Sequence, residues 1–579
     1  MRLGAPSGQL EAQLGGFKSR ALRAEAPTRR DLHATEWHAI NEADGASGAQ
    51  MLTIGDDTSV GCVRLASRAP HADVLARLHD GEWAAIALAV ATQRASLTAI
   101  PVFALEVALA LVQMQAATTP VPKMWMLTIG SAAHEGSWGL ARSARAEASL
   151  PVHCIDGAAT AALEQLQALA EPEAMLRAAA CLVPRLVRAR EGAHAAIAPA
   201  ASTHLVTGGT GGLGLLTARW LSQRGAARAL ALVSRSGVLA RITAGDWAGV
   251  HATEVETRVQ RCDAAEVAHV GRLVAHVAGA ASAMGVWHAA GVLADGVLPG
   301  QTAEALARVY APKAHGAWAL HGAFATAVVR THALFSSVAA LLGGAGQANY
   351  SAANTCLDAL ASRLRACARA STSVQWGAWA EVGMAARGAA AERMAAMEAA
   401  SGLARIGLGQ GLGALHAAVL PQAPSLVGVV PVQWERMLCG GRVPAFLSSM
   451  VSPAIARCAS AATVEQCGAC VISLEAVLEM VQRTAGGFVD ADAPLMEAGV
   501  DSLGAVELRN QLQRAVGDSV ALSSTLMFDH PTARQVARHL GGSLRVGMAV
   551  IGSGDDVALA PTGEHVAIAG LSATLPMGV

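Results

Sequence analysis

Gly208-Gly-Thr-Gly-Gly-Leu-Gly214 places five glycines in seven residues, and this loop constrains the chain more than any other feature. An apolar run, His204-Leu-Val-Thr207, precedes it, and Leu215–Arg224 follows with helical apolar spacing. The reading is strand, tight turn, helix. Gly209, Gly211 and Gly214 satisfy GxGxxG, and Thr207, Gly208, Gly212 and Gly214 satisfy TGxxxGxG, with Thr210 and Leu213 between them. Glycines let the backbone approach phosphate closely, and the helix start offers free N–H groups and the positive dipole end. Such a unit opens a parallel α/β sheet that binds a dinucleotide.

The second strand, Ala229-Leu-Ala-Leu-Val233, ends in Ser234-Arg235. An NAD enzyme usually carries Asp or Glu there, against the ribose 2′-hydroxyl. Arginine suits a 2′-phosphate, which favours NADP(H). Asp263 follows the third strand; it either meets the adenine ring or caps a loop or helix.

The chain has 579 residues, too long for one ordinary core, so several domains are expected. Only 15% of residues are charged and 53% are hydrophobic, which excludes wholesale disorder. A net charge of −1 gives no reason to expect nucleic acid as a partner. The longest apolar stretch, Ala99 to Met114, holds Pro101 and Glu106 and reads as a buried helix, so no membrane span is expected. Ten scattered cysteines make no disulfide framework and suit a reducing, cytoplasmic compartment, a plastid transit peptide being only weakly supported. Cys467 and Cys470 form a lone CxxC without a second pair, so no metal site is expected.

Residues 1–30 read as an unordered leader. Residues 31–195 show a βαβ rhythm without a phosphate loop: a strand at Met124–Ile129, a helix at Trp138–Ala148 and a strand at Pro151–Ile155. The glycine loop opens a second such unit, 200–435. A linker spans 436–470, a helical segment 471–545, and a second linker with a strand-like run, His565–Gly570, fills 546–579. That run has nothing after it to pack against, as if the chain continued in a larger protein.

Chemistry-bearing side chains are scarce: two tyrosines, Tyr310 and Tyr350, and three lysines, Lys18, Lys123 and Lys313. Tyr350 and Lys313 fall in the nucleotide-binding unit. Tyr350 and Asn354 are four apart, on one face of a helix starting near Gln347. Leu334-Phe-Ser-Ser337 reads as a strand end.

With these motifs the sequence resembles the ketoreductase domain of modular type I polyketide synthases, within the short-chain dehydrogenase/reductase family. The matching stretches are Thr207–Gly214, Val233–Arg235, His288-Ala-Ala-Gly291, Leu334–Ser337, Gly346 through Tyr350 to Asp358, and Gln375-Trp-Gly-Ala-Trp379. Most short-chain dehydrogenases carry a lysine four after the tyrosine. Asn354 stands there instead, an exchange shown by the polyketide ketoreductases, whose lysine lies earlier, as Lys313 does. The resemblance implies that Tyr350 donates a proton to a β-carbonyl oxygen while NADPH supplies hydride. Lys313 would be the cation beside the phenol and would hold the nicotinamide ribose. Ser337 would hydrogen-bond the carbonyl oxygen, and Asn354 would orient Lys313 or a relay water. Ser336 reads as a bystander. Asp295, in Leu293-Ala-Asp295, occupies the place of an Asp typical of one stereochemical class. The opposite class has Trp eight before the tyrosine, where this chain has Leu342. The D hydroxyl configuration is therefore expected, although Ala294 departs from that class's Leu-Asp-Asp motif.

The same resemblance makes 31–195 a truncated Rossmann subdomain without cofactor. It makes 471–545 an acyl-carrier domain, on Gly499-Val-Asp-Ser-Leu503, Val506-Glu-Leu-Arg509 and Phe528-Asp-His-Pro-Thr532. Ser502 would carry 4′-phosphopantetheine, attached by a phosphopantetheinyl transferase docking on Asp501 and Glu507. The final run, His565–Pro576, is similar to the start of a ketosynthase. The expected fold is thus α/β, with two Rossmann-like subdomains and a small helical-bundle carrier. The expected partners are an acyl thioester substrate, the transferase, and ketosynthase and acyltransferase domains. The pathway, polyketide or fatty-acid-like, stays open. No GxSxG acyltransferase elbow or HxxxGxxxxP dehydratase motif appears. The rival reading is an acyl-carrier shuttle with a silent reductase.

Overall fold

The computed structural model describes residues 2–4, 10–13, 31–40, 51–54, 63–65, 85–89, 100–117, 121–128, 134–157, 171–177, 180–189, 202–239, 244–278, 284–384, 402–438, 443–452, 473–485, 487–500, 502–516, 522 and 526–541. The leader, expected to lack order, contains a short antiparallel pair, β1 (Arg2–Gly4) with β2 (Leu10–Gln13).

The glycine-loop unit is a parallel sheet. Its strands are β11 (Thr203–Thr207), β12 (Ala229–Ser234), β13 (Glu256–Arg261), β14 (Met284–His288), β15 (Val329–Ser337), β16 (Thr372–Trp376) and β17 (Leu426–Val429), in the order 13-12-11-14-15-16-17. Strand order reverses between β11 and β14. In doubly wound sheets the ligand crevice lies at that switch point, beyond the carboxyl ends of the strands. The glycine loop leaves β11 there, and His288–Gly291 leaves β14.

The first half contributes β3 (Leu32–Ile40), β4 (Met51–Ile54), β5 (Val63–Leu65), β6 (Ala85–Ala89), β7 (Lys123–Thr128), β8 (Val152–Asp156), β9 (Glu173–Arg177) and β10 (Ala180–Arg188). Strands β5-β4-β6-β7-β8-β9 run parallel, and β10 and β3 close the half antiparallel. In β7, Met124, Trp125, Met126 and Leu127 are all buried, as a strand covered on both faces requires. The helices Ile100–Ala117 and Gly136–Ala148 lie close to their expected places.

The two subdomains share one sheet. β3 pairs with β10 along eight residues and meets β17 at Gly428↔His33 and Val429↔Leu32, which joins fifteen strands continuously. A common core forms on one face. Leu105, Val112, Trp138 and Leu140 of the first half pack with Ala348, Ala352 and Cys356 of the helix Ala348–Ala366.

The expected boundary at 435 falls too early. Trp434 and Leu438 of the helix Trp434–Leu438, with Leu447 and Met450 of the turn Ala445–Met450, bury against Leu186 and Leu341. Four large apolar side chains in that stretch fix it to the sheet, so the first part of the expected linker is folded. Cys467, Cys470 and the run 565–576 lie outside the described residues.

The carrier segment has its own core. Val477 and Val481 of the helix Leu474–Ala485, Leu508 and Leu512 of the helix Ser502–Val516, and Leu526, Val536 and Leu540 pack together. Among the described residues no helix is long and apolar enough to cross a membrane, no group of His, Cys, Asp and Glu could hold a metal, and no disulfide joins the cysteines.

Candidate active site

Four of the expected residues meet above the carboxyl end of β15. Tyr350 stands one turn into the helix Ala348–Ala366 and Asn354 one turn further, both buried. Lys313 comes from a π-helical turn, Ala311–His315, with Pro312 before it. Such widened turns are frequent at functional sites. The Lys313 Nζ donates to Asn354 Oδ1 at 2.8 Å and to the Phe335 carbonyl at 3.0 Å. It lies 5.1 Å from the Tyr350 ring centroid. Asn354 Nδ2 donates to the Tyr350 carbonyl at 2.8 Å, so the network fixes the amide's orientation. Asn354 therefore contacts the lysine directly.

Ser337 ends β15 and caps the following helix, its Oγ accepting from the Ala339 N–H at 3.2 Å. With a lone pair engaged, its hydroxyl hydrogen is available to donate toward the neighbouring Tyr350 phenol. Ser336, expected to be a bystander, is buried and donates to the Asn354 carbonyl at 3.3 Å. Asp358, four after Asn354, is a further buried member. It accepts from Ser373 Oγ at 2.6 Å and Gln375 Nε2 at 2.7 Å.

Burial governs the electrostatics. It pushes the Tyr350 phenol up to about 12, against the Asn354 and Ser337 hydrogen bonds that lower it. It draws the Lys313 ammonium down to about 7, Asp358 acting the other way. For the phenol, desolvation is the largest influence. Asp358 itself is raised to about 6 by burial.

His288 links this cluster to the glycine loop. Its Nε2 donates to the Lys313 carbonyl at 2.9 Å, so its Nδ1 accepts from the Thr207 hydroxyl at 2.8 Å. Complete burial holds the imidazole down to about 4. Gly291, at the end of His288-Ala-Ala-Gly, lets the lysine stem pass: a Cβ there would stand 2.8 Å from Lys313 Cε.

The glycine loop fits a bound dinucleotide. Gly208 has φ +66°, and a Cβ would lie 2.8 Å from the Ala289 carbonyl oxygen; at Gly214 a Cβ would overlap the Gly208 carbonyl. The helix Gly212–Gln223 begins at Gly211 without a side-chain cap, leaving its first N–H groups for an anion. Gly209 N–H ties the loop to the Val233 carbonyl at 3.1 Å. Arg235 is exposed just beyond β12. Ser234 is turned to local work, its Oγ accepting from Gly237 N–H at 3.1 Å. Asp263 Oδ1 accepts from Ala265 N–H at 3.0 Å, the loop-capping alternative.

Asp295 is exposed and accepts from Gln347 Nε2 at 3.2 Å, which ties its loop to the start of the Tyr350 helix. Ser502 begins the helix Ser502–Val516, after Gly499 with φ +100°. Asp501 and the side chain of Glu507 lie outside the described residues.

Comparison with known proteins supports both domains. Residues 202–381 match the KR domain family and 475–540 the phosphopantetheine attachment site family. The chain carries a ketoreductase domain and a carrier domain of the modular type I polyketide synthase kind. Polyketide synthase GfsA of Streptomyces halstedii is 34% identical over 432 residues, 70% of this chain and 6% of that protein. Erythronolide synthase EryA3 of Saccharopolyspora erythraea is 37% identical over 63% of this chain and 11% of its own length. The chain thus spans a small part of these relatives, and their sources give the plastid alternative no support. An A-type ketoreductase from a modular polyketide synthase superposes with TM-score 0.66 at 26% identity, covering 74% of this chain and 99% of the other. A C2-type ketoreductase superposes with 0.62 at 26% identity, over 72% and 98%. Both types match comparably, so the overall ketoreductase fold does not select a stereochemical outcome.

Proposed function

We propose that this chain reduces a β-ketoacyl thioester to a β-hydroxyacyl thioester, with NADPH as reductant and the acyl group borne by phosphopantetheine on Ser502. The arrangement of Lys313, Asn354, Tyr350 and Ser337 beyond the carboxyl end of β15 carries this reading. Bound NADPH would supply the hydride, held by the Gly208–Gly214 loop, with Arg235 near the 2′-phosphate and Lys313 near the nicotinamide ribose. The Ser337 hydroxyl hydrogen-bonds the β-carbonyl oxygen and strengthens its hold as charge grows there. The Tyr350 Oη proton passes to that oxygen. Burial keeps the phenol protonated well above neutral pH, and the same shift makes it a weaker acid. The Lys313 ammonium, fixed by Asn354, stabilises the phenolate that remains and narrows the gap that burial opens. The D configuration rests on Asp295 in Leu293-Ala-Asp295 and on Leu342 where the opposite class carries Trp. The reaction suits a reducing, cytoplasmic setting, with a phosphopantetheinyl transferase and neighbouring ketosynthase and acyltransferase domains as partners.

The test measures NADPH oxidation with a β-ketoacyl thioester mimic, and intact mass after co-expression with a broad transferase. Wild type should turn over, and Tyr350→Phe should lose at least about a hundredfold in kcat, the usual share of a positioned general acid. One phosphopantetheine arm should be added and be missing in Ser502→Ala. A folded wild type that binds NADPH without turnover would leave only the carrier-shuttle reading. No added arm would remove Ser502.

A further inference from the structure

Two loops lie close to Tyr350. One, residues 292–301, carries Asp295. The other, 343–347, leads into the Tyr350 helix. They are fastened to each other: Gly296 N–H donates to the Gly346 carbonyl at 2.8 Å, Gln347 to Asp295 at 3.2 Å, and Asn349 Nδ2 to the Ala294 carbonyl at 2.7 Å. Their distance from the rest of the molecule is set from the half that has no glycine loop. Glu147, buried near the end of the helix Gly136–Ala148, uses both carboxylate oxygens. Oε1 accepts from Leu298 N–H at 2.6 Å, and Oε2 accepts from Gly346 N–H at 2.8 Å. Ser143, one turn earlier on the same face, accepts from Gly344 N–H at 3.2 Å. From the neighbouring helix Ile100–Ala117, Gln113 Nε2 donates to the carbonyls of Leu298 at 2.8 Å and Gln301 at 2.9 Å.

A carboxylate at a helix end meets the negative end of the dipole, and burial adds a desolvation cost. Two backbone N–H groups act against both, although burial still holds the carboxyl above its ordinary value. An amide could not hold the two donors in this way: it has one acceptor oxygen and sets its NH2 against the second N–H. We propose that Glu147 is a positioning residue that clamps the Asp295 loop to the Tyr350 helix, so that the half without a nucleotide loop governs which face of the ketone meets the hydride. This rests on the reductase reading above. Glu147 touches no reacting atom. It acts through Leu298 and Gly346, three residues beyond Asp295 and four before Tyr350.

The experiment follows the product diastereomer ratio, kcat, the NADPH dissociation constant and the thermal midpoint in wild type, Glu147→Gln and Gln113→Leu, with a β-ketoacyl thioester. Glu147→Gln should raise the minor alcohol's share about tenfold and lower kcat about tenfold, as expected for slight misplacement of reacting groups. NADPH affinity should stay within about twofold, because the glycine loop is untouched. Gln113→Leu loosens only the Asp295 loop. It should raise the minor alcohol with a smaller loss of kcat, and it keeps the proposal testable if Glu147→Gln does not fold. An unchanged diastereomer ratio in Gln113→Leu and in any folded Glu147→Gln would overturn the clamp, as would equal loss of stability, NADPH affinity and kcat at unchanged ratio. Absence of turnover in wild type would instead sink the reductase reading and the clamp's premise with it.

Discussion

Lys313 is a buried amine whose two recorded hydrogen bonds go to neutral oxygens, of Asn354 and Phe335. Its folded value of about 7 lies below the ordinary 10.5. Below about pH 7 both folded and unfolded chains hold the proton, and the folded state bears the full cost of burying it. Between about 7 and 10.5 the unfolded chain keeps the proton and the folded one releases it, so stability from this group rises with pH across that window. In Lys313→Met the slope is gone. Denaturant titrations at pH 7.5 and 9 should therefore show the wild type gaining on the variant by about 1 kcal/mol per pH unit. A constant difference would mean that the amine is not held low. Tyr350, Lys313 and Ser337 were legible because tyrosine and lysine are so scarce and their motifs sit in order. The hydrogen bond of Ser336 to the Asn354 main-chain carbonyl left no signal in the sequence. Asp358 had a signal, four residues after Asn354 on the same helix face, but nothing in the sequence pointed to Ser373 and Gln375 as its donors. Glu147 had none, since its partners are main-chain N–H groups 151 and 199 residues away.

At the scale of elements, apolar period placed the principal helices and strands of the site to within a few residues. It did not say which helix meets which. The decisive crossing sets Gly136–Ala148 against Ala348–Ala366, with Ser143 Oγ donating to Ser351 Oγ at 2.8 Å. At Gly139 the backbones come so close that a Cβ would overlap the Ser351 carbonyl and the Thr355 hydroxyl. A carbonyl cannot swing aside as a side chain can, so Gly139→Ala must push the helices apart. The expected cost is about 1–3 kcal/mol, the range for overpacking a filled core. Ser351 adjoins Tyr350, so kcat should fall in the same variant under conditions where it remains folded. Equilibrium unfolding and steady-state rates on one preparation check both. Retained stability would show that the crossing yields more easily than its main-chain contacts imply.

For the whole molecule, the sequence divided the ketoreductase into a truncated and a complete nucleotide-binding unit, and the structure joins them through β3. That strand could not be foreseen as a bridge, because its pairing with β17 spans almost the whole ketoreductase and leaves no local pattern. Its energetics are nonetheless specific. Along one edge β3 pairs with β10 from Arg188↔His33 to Cys181↔Ile40, and Pro184 is tolerated in β10 because pairing to β9 stops at Leu182. On the other side Val430 N–H donates to the Asp31 carbonyl at 3.1 Å, and Gln410 Nε2 reaches the Asp31 carboxylate at 2.5 Å. Without β3, both β10 and β17 would present unpaired edges, a known route to aggregation. A chain beginning at residue 31 should stay soluble with a single unfolding transition for the ketoreductase. One beginning at residue 42 should precipitate or unfold in two steps, although it keeps the glycine loop, Lys313, Ser337, Tyr350 and Asn354. Solubility and calorimetry of the two chains decide the matter. If the shorter chain is soluble and unfolds in one step, Glu147 and the helix crossing suffice to hold the halves together, and the shared sheet is dispensable.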